Sequence, residues 1–123
     1  YQANRQRTRR GVVLAPLETA ILKYTNQYLH GGGLASRNPE AVNPELLSEV
    51  LKVIAVAEEA SAGMEFTSDA VNPLGRKQEW KLMQERIENA IHEHYPALVS
   101  DSLRTVSYLL CSEAASRARR KAA

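Results

Sequence analysis

The chain has 123 residues, 44% of them hydrophobic and 24% charged, which suits one globular domain with little room for a second and lies far from a disordered composition. Its net charge of +2 is unevenly spread: residues 1–11 hold four arginines and no acid, residues 12–112 hold eight basic and thirteen acidic residues, and residues 113–123 hold four basic residues against Glu113. This reads as a basic N-terminal arm (1–13), an acidic helical body (14–116) and a basic C-terminal tail (117–123).

Helix signals recur along the body and strand signals do not. From Pro16, which suits a first helical turn, the apolar residues Leu17, Ile21, Tyr24 and Tyr28 fall on one helical face. The pattern predicts a helix to about His30, closed by Gly31 in the left-handed conformation, with Gly32 and Gly33 opposing continuation. The three glycines then form a hinge between the segment carrying the arginine arm and the rest of the bundle. Asn43 and Pro44 spell a second helix start, with Glu45 at the positive dipole end and Val42 placed to pack on Leu47. The run from Leu46 to Ala57 is apolar on most sides, predicting the most buried helix. A strand at Val53–Val56 is the rival reading, disfavoured by the run's length and its helical cap, and Gly63 ends the element.

The tetrapeptide AVNP recurs at Ala41–Pro44 and Ala70–Pro73, and shared cap chemistry explains it without an internal duplication. Gly75 in the first turn predicts a third helix regular only from about Arg76, with a core stripe of Trp80, Met83, Ile87, Ala90 and Ile91, and Tyr95 before Pro96. Ser100 and Asp101 are both competent caps for a fourth helix, whose face is Leu103, Val106, Leu110, Cys111 and Ala114. Its C-terminal end carries the basic cluster, where the dipole favours positive charge. The fold class expected is all-α: a compact bundle of about four principal helices with basic N- and C-terminal arms.

The stretch HGGGLASR, His30 to Arg37, has the look of an esterase oxyanion loop, but that fold needs a G-x-S-x-G elbow on a large α/β sheet and the chain has neither. A phosphate-cradling P-loop needs Lys followed by Ser or Thr, whereas Arg37 precedes Asn38-Pro39. His92 and His94 are two apart on a helix and diverge. Glu85, Glu88 and His92 share a side, yet no second helix carries the Glu-x-x-His pattern of di-metal bundles, so they read as a solvated acidic face. Cys111 among Leu109, Leu110 and Ala114 reads as a core residue in a reducing setting. No catalytic residue, metal or cofactor is expected, and the chain reads as a non-enzyme.

The basic ends carry the functional signal. Arg5, Arg7, Arg9 and Arg10, with Arg117, Arg119, Arg120 and Lys121, suit nucleic-acid phosphates or an acidic surface on a partner. In composition, though not in motif, the chain resembles small helical assembly proteins such as nucleocapsid and coat subunits. That resemblance implies self-association and sequence-nonspecific contact with RNA or DNA. The alternative is a helical protein–protein interaction module of a larger complex, with no nucleic-acid role. No apolar run approaches the roughly 20 residues that span a bilayer, so neither a membrane nor a small-molecule substrate is expected. The expected location is intracellular, in the cytoplasm or within a nucleoprotein assembly.

Overall fold

The computed structural model describes residues 16–28, 34–67 and 73–122, and among them every regular element is helical. These are α1 (16–24), a 3-10 turn Pro39–Ala41, α2 (Pro44–Ala60), α3 (Pro73–His94) and α4 (Ser100–Ala122). The arginines at 5, 7, 9 and 10 and the glycines at 31, 32 and 33 lie outside the described residues.

The first helix ends well before the expected His30. Asn26 adopts the left-handed conformation at φ 63°, which asparagine tolerates better than most residues. Around it the Gln27 N–H donates to the Leu22 carbonyl (2.8 Å) and the Asn26 N–H to the Lys23 carbonyl (3.2 Å), a Schellman closure. The chain then returns alongside: the Asn38 N–H donates to the Tyr24 carbonyl (2.8 Å) and the Ser36 N–H to the Thr25 carbonyl (3.3 Å). Carbonyls orphaned by the helix end are thereby satisfied by the connector, which leaves no need for a glycine stop. Tyr28, expected on the core face, is consequently 49% exposed, with the Lys23 ammonium 5.0 Å above its ring. Ala20, Ile21 and Tyr24 remain on the buried side.

The start of α2 follows its sequence. Asn43 caps it by accepting from the Glu45 N–H at 2.9 Å, Pro44 occupies the first turn, and Val42 is buried while Leu47 packs partly against the same core. Val53–Val56 is helical, and after Ala60 a turn closes on Gly63 at φ 83°. The α3 helix is regular from Pro73, not from Arg76; a glycine lowers helix propensity by about 1 kcal/mol, too little to unwind a turn that the following helix propagates. Met83, Ile87 and Ile91 form its buried stripe, while Trp80 is half-buried.

Packing order differs from expectation in one respect. The most buried helix is α4 rather than α2. In α2 only Val50, Val53, Ile54 and Ala57 are buried, whereas α4 buries Ser102, Leu103, Val106, Ser107, Leu109, Leu110, Cys111, Ala114 and Ala115. Residues on several sides of α4 are enclosed, and it packs mainly on α3 and less on α2. Burying a side chain such as Ile54, Ile87 or Leu109 contributes about 1.5–3 kcal/mol, so this shared core holds the helices together. No helix among the described residues is long and apolar enough to cross a membrane.

Candidate functional site

Two charged features stand out once the core is set aside, and they meet at α4. The first is a clamp. Arg37, the last residue of HGGGLASR, donates through Nε and one Nη to both carboxylate oxygens of Glu113 on α4 (2.8 and 2.9 Å). Its other Nη donates to Glu58 on α2 at 2.8 Å. The hydrogen bonds to Glu113 raise the guanidinium pKa further above its ordinary value, with the one to Glu58 adding to the effect. The planar fork that suits phosphate is thus occupied internally, tying the connector to two helices. Sequence reading missed this role, since the partners lie 21 and 76 residues away.

The second feature is an open groove of about 640 Å³ lined by the last turns of α4 from Ser112 to Arg120. Leu34 of the connector and Trp80 of α3 stand at its sides. Arg117, Arg119 and Arg120 line it from the last turns of α4, which continues to Ala122. Arg119 reaches the Ser116 hydroxyl at 3.1 Å, and among the described residues no carboxylate lies in ion-pair range of Arg117, Arg119 or Arg120. The neighbouring Lys121 instead pairs with Glu65 and holds that carboxyl below its usual range. Glu113 is the one acid among the groove's described lining residues, and both of its oxygens are bound by Arg37, which also pairs with Glu58. The groove is therefore electropositive. Trp80 sits in an aromatic row, 6.1 Å from Phe66 and 5.8 Å from Tyr108 between ring centroids, with the Arg76 guanidinium over Phe66 at 5.3 Å.

Several of the residues weighed for catalysis or metal binding are engaged elsewhere. Cys111 is fully buried, and burial together with Glu88 pushes its thiol up to about 12. Ser36 accepts from the Asn38 side-chain amide at 2.9 Å. Glu88 is more than part of a solvated face: the Ser107 hydroxyl of α4 approaches it at 2.8 Å and the Gln84 amide donates to it at 3.0 Å. Glu85 and His92 stay on the exposed side of α3, and no group of three metal-ligating side chains assembles among the described residues. The structure thus brings three of the predicted basic residues into one groove. It sends Lys121 to a different partner.

A comparison with curated proteins finds no match, and a comparison with solved structures finds none either. A family model described as a family of unknown function (DUF6357) matches residues 1–123, and the chain belongs to that family.

Proposed function

We propose that this chain is a non-enzymatic helical assembly protein that self-associates and binds nucleic-acid phosphates without reading sequence. The observation that carries the reading is the groove on α4, where Arg117, Arg119 and Arg120 have no carboxylate within ion-pair distance among the described residues while Arg37 and Lys121 do. Guanidinium groups with no carboxylate in ion-pair range on a helix end are available to phosphate oxygens. Arg5, Arg7, Arg9 and Arg10 add further phosphate contacts, and the acidic body offers a second copy a surface of opposite charge.

The test is a salt series of binding to arbitrary RNA and DNA. Each phosphate contact contributes a slope of about −0.7 in log affinity against log salt for single strands. Replacing the four arm arginines by alanine therefore lowers the slope by about 3. No salt-dependent binding by the intact protein overturns the nucleic-acid reading. The exposed Leu82 (57%) in a shallow groove on α3 beside Glu85 and Arg86 favours a second reading, docking on a partner protein. Light scattering that finds a monomer indifferent to RNA selects it.

A further inference from the structure

We infer that the groove between the end of α4 and Trp80 is a single-strand-selective nucleic-acid site, in which arginines hold phosphates and the indole takes an unstacked base. The inference rests on the polyanion-binding reading above and names the ligand form within it. Three observations carry it. The groove is open and about 640 Å³, within the ~300–1,000 Å³ range of ligand clefts, so it admits a planar ring and not only a point ion. Its charge is predominantly positive, because Arg117, Arg119 and Arg120 have no carboxylate within ion-pair distance among the described residues, Arg117 having only a longer-range attraction to Glu65, and Glu113 is already bound on both oxygens by Arg37. Its wall contains a half-buried tryptophan braced by Phe66 and Tyr108, and a braced aromatic is the platform on which bases of any sequence stack.

A duplex offers phosphates but keeps its bases paired, so it reaches the arginines and not the indole. An acidic peptide offers charge without a flat ring. The occupant that uses both halves of the groove is a single strand. From Ser112 to Arg120 the helix advances about 12 Å, and the site is accordingly short, holding a few nucleotides.

Trp80 is the single tryptophan of the chain, so its emission reports on this groove without labelling. The experiment titrates the full chain with oligo-dT and oligo-rU, a duplex of equal length and polyglutamate, reading Trp80 emission together with anisotropy of end-labelled strands. The expected result is saturable quenching by both single strands and about tenfold or weaker binding of the duplex. Replacing exposed Arg117 and Arg120 by alanine should reduce the salt slope by about 1.4 and the quenching with it. Trp80→Phe, which keeps a ring, should bind more tightly than Trp80→Leu; circular dichroism confirms that both fold, and the wild-type titration stands if either does not. Strands that bind by anisotropy without changing Trp80 emission overturn the inference and leave the polyanion reading intact. Equal binding of duplex and single strand, or equal quenching by polyglutamate, also overturns it. Absence of any oligonucleotide binding overturns both.

Discussion

Replacing Arg37 with alanine removes three charge-assisted hydrogen bonds at once, two to Glu113 and one to Glu58. The Arg37, Glu113 and Glu58 side chains are 34%, 34% and 49% exposed, so solvent screens each pair and values for buried pairs do not apply. An exposed pair contributes about 0.2–1 kcal/mol, and the bidentate fork with a shared third group places this network at the upper end of that range. The two pairs together are then worth about 1–2 kcal/mol, which lowers the Tm of a domain of this size by about 3–8 °C. In urea the midpoint should fall with the slope unchanged, because no core residue is touched. Arg37→Lys keeps the charge without the fork and should recover less than half of the loss. The same substitution has a second readout. Freed from Arg37, the Glu113 carboxylate becomes a negative charge one turn from Arg117 inside the groove. Oligonucleotide affinity should therefore drop in Arg37→Ala and return when Glu113→Gln is added. An Arg37→Ala unfolding free energy within about 0.3 kcal/mol of wild type would refute the clamp, as would a Glu113→Gln cost that is the same with and without Arg37.

Three further outcomes test the local readings. Asn26 sits at φ 63° and its side-chain amide donates to the Leu34 carbonyl; Asn26→Ala and Asn26→Gly both lose that bond, but only alanine pays the left-handed strain. Alanine should be the less stable of the two by about 1 kcal/mol, and equal denaturation midpoints would remove the left-handed cap from the account. Cys111, buried and with its thiol pushed up to about 12, should resist an aromatic disulfide reagent at about pH 8 until the protein unfolds; labelling at the rate of a free thiol contradicts this. Glu18 of α1 has its carboxyl pKa raised, by burial first and also by Asp101, against a hydrogen bond from the Val99 N–H that lowers it. A carboxyl that holds its proton more tightly when folded contributes fully below its unfolded value, and that contribution is lost as pH rises through the folded one. Glu18→Gln should thus match wild type near pH 3 and gain on it as pH rises from about 4 to 7, whereas a constant difference would refute the burial argument.

Local chemistry was the legible part of this chain. Asn43-Pro44 starts α2 through a cap whose atoms are neighbours in sequence, and Met83, Ile87 and Ile91 line α3 because a helix repeats its faces every three or four residues. The end of α1 was misread because Gly31 is the stronger stop by propensity, while Asn26 wins through tertiary contact. The returning Ser36 and Asn38 N–H groups satisfy the carbonyls of Thr25 and Tyr24 and reward an early turn. The rank of α4 was likewise hidden. Periodicity tells how wide an apolar stripe is and not how many neighbours surround it, and two of the buried residues of α4, Ser102 and Ser107, are polar.

The groove shows the same limit for charge. Counting arginines locates a basic end but cannot tell which cations are already spent on the protein itself. Arg37 and Arg117 are the same residue type and both stand near Glu113 in space, yet one closes the fold and the other is left exposed. The difference arises from reach: the connector brings Arg37 to Glu113 from across the chain, so that both oxygens are taken. A carboxylate that would have muted the arginines on its own helix is neutralised from outside it. The same tertiary contact that fastens the connector to α2 and α4 therefore sets the sign of the groove, and stability and ligand binding at this end of the molecule should change together when it is broken.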